Sequence, residues 1–227
     1  FVAPGNHDAL YSRSPYMSED FGSNVYVFRQ PSMTEIAVPS LGMTVYGCAS
    51  IAGVSDRPPL RGFNAAGDGL KIGLVHGLLT GENGSDYAPV TKEDIAASGF
   101  DYLALGHVHS ISGPNKCGNT VYAYAGCTEA RGFDEPGEKY CLYVEYEGGS
   151  LRFKKIKTNC RTVHILPVDI TGCLASEQAA ERMRVAAQQI PQEDIVRFLL
   201  TGELSEDADI DCNTAAALAA GFFYSEA

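Results

Sequence analysis

The 227-residue chain lacks any apolar run approaching the ~20 residues that a helix needs to cross a bilayer, so it reads as soluble rather than membrane-spanning. Its opening Phe1-Val2-Ala3-Pro4 is too short for a secretion signal and lacks the basic flank expected of one. With Phe1 in place of Met, the expectation is that the true N-terminus is missing. Positive charge is scarce: 17 Lys and Arg stand against 28 Asp and Glu, for a net charge of −11. That balance argues against coating nucleic acid through a global positive field, although it does not exclude local contact. Its seven cysteines (Cys48, Cys117, Cys127, Cys141, Cys160, Cys173 and Cys212) are odd in number, scattered and without a Cys-x-x-Cys pair. Reduced thiols in a cytoplasm are the simplest account. There is no internal repeat and no low-complexity segment. At 45% hydrophobic and 20% charged, the composition is that of a globular chain able to bury one good core.

Histidine is scarce too, and its placement is informative. Four of the five sit in three short motifs: Gly5-Asn6-His7-Asp8, Val75-His76-Gly77 and Gly106-His107-Val108-His109. Lys71 to Val75 is a short apolar run that leads into His76, and Tyr102 to Leu105 leads into Gly106 and His107, as suits strands of a buried sheet. Between them Thr91 to Gly99 has a capping Thr, an Asp three residues on and a closing Gly, the marks of a brief helix. Strand, helix, strand is an α/β rhythm. Thr120 to Tyr124 is a further strand. Tyr140 to Tyr146 and Leu151 to Ile156, joined by Glu147-Gly148-Gly149-Ser150, make a hairpin. The pattern then restarts: strand Val163 to Val168, a helix capped by Ser176, strand Ile195 to Leu200 and an Ala-rich helix from Asn213. In the first of these helices Ala179, Met183, Ala186, Ala187 and Ile190 form one apolar stripe, expected to face a core.

Each motif at a strand end places Asn, His and Asp where rigid elements can fix metal ligands. Imidazole suits Zn, Mn and Fe, whereas the Asn6 carboxamide oxygen suits the harder ions, so the mixed set points to Mn, Fe or Zn. A Ca site would be richer in oxygen. His107 and His109 at a loop could serve a pair of ions about 3.5–4 Å apart, the arrangement that brackets a phosphate under in-line attack. Asn6 can ligate while His7 faces the substrate and Asp8 orients the His7 ring. His164, alone in an alternating strand, reads as structural. The basic run Arg152, Lys154, Lys155, Lys157 and Arg161 is either a phosphate contact or a set of charges guarding an edge strand, and its alternation favours the edge strand.

Together these motifs resemble the third, fourth and fifth signature motifs of the calcineurin-like metallophosphoesterases. Tyr102 to His109, followed by Val121 to Glu129 and Gly132-Phe133-Asp134-Glu135 through Lys139, is similar to the SbcD-type DNA-repair exonucleases. The resemblance implies an α/β fold of two packed β-sheets flanked by helices over residues 1–160, followed by a small α+β capping domain at 161–227. It implies metal-dependent phosphodiester hydrolysis on DNA ends with two ions, Mn first and Fe or Zn as alternatives. The implied partners are DNA ends and an SbcC-type coiled-coil ATPase.

Carried over by position, Asn6, His76 and His107 would ligate one ion and His109 the other, with His7 as the catalytic histidine and Asp8 behind it. Cys127 stands where the family often has Ser. The family's opening Asp-x-His and Gly-Asp-x-x-Asp motifs are absent from this sequence. The expectation is therefore a half-site holding one ion or none, in a fragment of a longer enzyme or in a chain that self-associates to cover bared strand edges. Two other readings stand beside the nuclease: a phosphoesterase for small phosphodiesters or phosphomonoesters, which the acidic charge favours, and a non-catalytic scaffold for DNA ends or an ATPase.

Overall fold

The computed structural model describes residues 1–80 and 87–227. These residues divide into two compact units: Phe1–Gly126 with Leu142–Lys154, and Cys127–Cys141 with Lys155–Ala227. The first unit opens with a loop and the short helix α1 (Pro15–Ser18), then strands β1 (Thr34–Val38) and β2 (Met43–Gly47). After a long connection come β3 (Leu70–His76), the two-residue strands β4 (Leu78–Leu79) and β5 (Pro89–Val90), helix α2 (Lys92–Ala97) and β6 (Tyr102–Gly106). β7 (Asn115–Cys117) and β8 (Thr120–Tyr124) complete a six-stranded sheet of order β1-β2-β3-β6-β8-β7.

The four inner strands, β2, β3, β6 and β8, run parallel, and β1 and β7 add antiparallel edges. Parallel strands with covered faces need continuous apolar sequence, which is what 70–76 and 102–106 supply. Val75, Leu103, Ile95 and Phe100 are each no more than 1% exposed, and burying a side chain of this size contributes about 1.5–3 kcal/mol. Helix α2 forms as expected, with the Thr91 side chain accepting a bond from the Asp94 N–H.

Strands β9 (Tyr140–Glu147) and β10 (Ser150–Lys157) pair as a hairpin, and Phe153 of β10 packs against Tyr102 of β6 with ring centroids 5.7 Å apart. The architecture is a mixed α/β fold with a central multi-stranded sheet and few helices, consistent with a metallophosphoesterase-type fold. The basic run lies on and just beyond β10, where Arg152 pairs with Glu147 and Lys157 with Glu138, both exposed.

In the second unit β11 (Val163–Asp169), β12 (Ile195–Thr201) and β13 (Tyr224–Glu226) form a parallel sheet flanked by α3 (Ser176–Ala186) and α4 (Cys212–Leu218). The expected α3 stripe shifts slightly. Ala179, Met183 and Ala187 are buried and Ile190 packs against them, but Ala180 is buried in place of Ala186, which ends the helix on its exposed side. Ser176 is not the cap: Ala175 holds that position, and the Ser176 hydroxyl bonds both the N–H and the carbonyl of Asp211. His164 is tied to the nearly buried Asp194 at 2.9 Å, and Asp194 also accepts the Thr162 N–H, so the pair locks β11 to the start of β12. None of the seven cysteines is in a disulfide among the described residues, and no helix among them is long and apolar enough to cross a membrane.

Candidate metal centre

Parallel pairing of β3 with β6 sets His76 opposite Gly106, and the Gly77 N–H donates to the Gly106 carbonyl at 3.2 Å. The loops after both strands therefore leave the sheet side by side. The His76 and His107 rings meet edge-to-face, 5.2 Å between centroids. His107 has φ 104°, a conformation that costs a non-glycine residue about 1–3 kcal/mol and is held only where the surroundings demand it.

The Gly5-Asn6-His7-Asp8 loop is strapped to the segment after β2: Ser50 N–H donates to Pro4 O, and Leu10 N–H to Ser50 O, each at 2.9 Å. This brings the Asn6 Oδ1 to 2.8 Å from His76 Nε2, joining residues 70 apart in sequence. Gly5 makes the approach possible, since a Cβ there would stand 2.5 Å from the His76 ring.

Asn6, His7, His107 and His109 line a cleft of about 550 Å³ together with Gly53, Val54 and Tyr87. His76 lines a smaller cavity of about 90 Å³ instead and meets the cleft through its contacts with Asn6 and His107. His7 is exposed. Asp8 does not engage it: one carboxylate oxygen accepts the Gly5 N–H at 2.6 Å and the other the Tyr16 hydroxyl at 2.8 Å. Two negative lone pairs are thereby spent on holding the loop closed, with Tyr16 as a latch. The Tyr16 hydroxyl is pushed up to about 12 by burial and by the carboxylate beside it.

Three further residues shape the centre and had no distinguishing mark in the sequence. The buried Tyr124 hydroxyl donates to Gly77 O at 2.9 Å and accepts the Leu79 N–H at 2.8 Å, clamping the turn that carries His76. Tyr87 stacks on His107 with centroids 5.2 Å apart. Gly126, at φ 73°, lets the chain pass against the His109 loop, where a Cβ would lie 2.9 Å from Ile111 N and 3.0 Å from His109 O.

Electrostatics favour neutral imidazoles. Burial, then the neighbouring His107, holds His76 down to about 4, with Asp8 pulling weakly the other way. Burial also lowers His107, aided by His109 and His7. Both rings therefore offer lone pairs at neutral pH. Among the described residues no three His, Cys, Asp or Glu side chains are grouped closely enough to hold a metal ion. The convergent donors are two neutral imidazoles and one carboxamide oxygen, which fit the terminal ligands of one borderline divalent ion without completing its shell.

No family model matches the chain. It is, however, 30% identical over 162 residues to an uncharacterized metallophosphoesterase of Bacillus subtilis (strain 168), YhaO, an alignment covering 68% of this chain. That likeness supports the calcineurin-like metallophosphoesterase superfamily. The chain spans 38% of the length of that relative. The superfamily implies divalent metal ions, and the Asn6, His76 and His107 set has the chemistry to take one.

Proposed function

We propose that this chain carries part of a metal-dependent phosphodiesterase centre acting on DNA ends. Support comes from the Asn6 carboxamide and the His76 and His107 imidazoles meeting beside a cleft that His7 and His109 also line. Asn6, His76 and His107 would hold one ion, and His109 contributes toward a second. Bound divalent ions would supply charge neutralisation of the phosphate and activation of water, with Mn the first candidate and Fe or Zn the alternatives.

The chain's own residues do the rest. His7, exposed in the cleft and bonded to no other side chain of the loop, would donate a proton to a leaving oxygen. Asp8 acts through the backbone rather than through His7, fixing the loop with Gly5 and Tyr16. Tyr87 and Tyr124 keep the His107 and His76 rings in their orientations. In this reading residues 161–227 belong to a capping region, and an SbcC-type coiled-coil ATPase is the expected partner.

The test is Mn-dependent release of nucleotides from DNA ends, compared with hydrolysis of small phosphate esters, for a full-length protein that contains this chain and for its His7→Ala variant. The expected result is DNA hydrolysis that falls at least about 100-fold in His7→Ala, with metal binding retained. Hydrolysis of small esters alone would replace the DNA assignment with the small-phosphoester reading, which the net charge of −11 favours.

A further inference from the structure

Three neighbouring cavities of the first unit have no Asp or Glu among their described lining residues. In a chain with 28 acidic residues this exclusion is informative. The small cavity that includes His76 also includes Arg57, and it shares Arg57, Pro31 and Pro59 with a recess of about 430 Å³. Ser32, Arg61 and Phe63 complete the functional lining of that recess. Arg57 and Arg61 are the only charged residues among its described lining, and neither forms an ion pair with a described residue.

The recess is built rather than incidental. Pro58 and Pro59 restrict the backbone between the arginines, and Leu60, 1% exposed, pins the segment to the core. The Phe63 N–H closes a turn onto Leu60 O at 3.0 Å, and the Arg57 N–H rests on Ser55 Oγ at 3.3 Å. Phe63 is held by Tyr46 and Phe100, with ring centroids at 5.7 and 5.5 Å. Two guanidinium groups without an ion-pair partner among the described residues, a hydroxyl and an aromatic wall on a stiff segment suit a phosphate attached to a sugar with a flat base.

We propose that this recess is a subsite for the non-scissile phosphates of a single-stranded polynucleotide, bound by Arg57 and Arg61 with Phe63 as the wall beside the sugar or base. The proposal rests on the phosphodiesterase reading and adds where the substrate strand is held beyond the scissile bond, on a path from the imidazole cleft along residues 51–63. Asp56 lies on that path but lines none of the three cavities, and no described residue lining them is a carboxylate, which limits the repulsion that the net charge would impose on a polyanion.

The test is fluorescence anisotropy with a labelled single-stranded oligonucleotide in excess chelator, so that binding is read without hydrolysis. Arg57→Ala/Arg61→Ala is compared with the parent and with a Lys92→Ala/Lys116→Ala control over a salt series. The expected result is a Kd raised about tenfold or more in the arginine variant alone. The slope of log K against log salt should also fall by about 1.4, at about 0.7 per phosphate released. An unchanged Kd and slope in a variant with parental circular dichroism would overturn the proposal. So would arginine-dependent binding of inorganic phosphate with oligonucleotide binding unaffected, which would assign the recess to a small phosphate compound. Arginine-dependent oligonucleotide binding without Mn-dependent nucleotide release would leave the subsite standing and remove the hydrolytic reading instead.

Discussion

Replacing Gly5 with Ala isolates the steric condition on which the Asn6 and His76 pairing depends. The Gly5 backbone is not in the left-handed region, so Ala can adopt its conformation, and the perturbation is the added methyl alone. That methyl would lie 2.5 Å from His76 Cε1, 2.6 Å from Nδ1 and 2.9 Å from Nε2. Restoring an ordinary contact of 3.4 Å requires a relative movement of about 0.9 Å, made against a ring already bonded to Asn6 and packed on His107. Overpacking of this kind costs about 1–3 kcal/mol, and the reduced freedom of the unfolded chain returns about 0.4–1. A net loss of about 1–2 kcal/mol is expected in urea unfolding. Metal binding should weaken about 10–100-fold, as when a residue that orients a ligand is altered. Isothermal calorimetry with Mn or Zn reads the second quantity, and Gly113→Ala, with nothing within 4 Å of the new methyl, serves as the control. Parental metal affinity in Gly5→Ala would show that His76 and Asn6 do not form the ligand set.

Two further outcomes are expected. Tyr124→Phe strips the clamp from Gly77 O and Leu79 N, leaving a buried carbonyl and amide unpaired, so stability should fall by about 1–3 kcal/mol with a parallel loss of metal affinity; a parental unfolding midpoint would remove Tyr124 from the positioning role. His76 gives a pH dependence whose sign follows from its lowered value. The unfolded ring titrates near 6.5 and the folded ring near 4, so the unfolded chain binds more protons in between. Stability from this group is complete above about pH 6.5 and is lost as pH falls toward 4. An NMR titration of His76 with a midpoint above 6 would contradict this.

The elements and the motif residues were legible for different reasons. β3, β6, β8 and the β9/β10 hairpin are apolar or alternating runs bounded by glycine or polar turns, and local sequence suffices to set them. The meeting of Asn6 with His76 is tertiary, yet it could be anticipated because Asn and His beside glycine at strand ends are poor choices for a core and good ones for ligation. What supports them could not be read, because the same residue types serve ordinary packing. Tyr124 sits in Val121-Tyr122-Ala123-Tyr124 and looks like any strand aromatic; only the order β3-β6-β8 carries its hydroxyl to the turn after β3. Tyr16 belongs to a four-residue helix with no apolar periodicity, and its bond to Asp8 redirects a carboxylate that sequence alone assigned to His7.

The α3 cap shows the same limit in reverse. Ser176 has the right chemistry for a cap, but its hydroxyl is taken by Asp211, which lies 35 residues away and itself caps α4 through the Thr214 N–H. A hydroxyl or carboxylate announces that it will be bonded, not to what. Candidate ligand atoms differ, since a cation would restrict the acceptable donors to a few types and so leave a trace in composition. The meeting of Asn6, His76 and His107 is therefore foreshadowed along the chain by residue type, while the tyrosines and the glycine that hold it in shape become visible only in the fold.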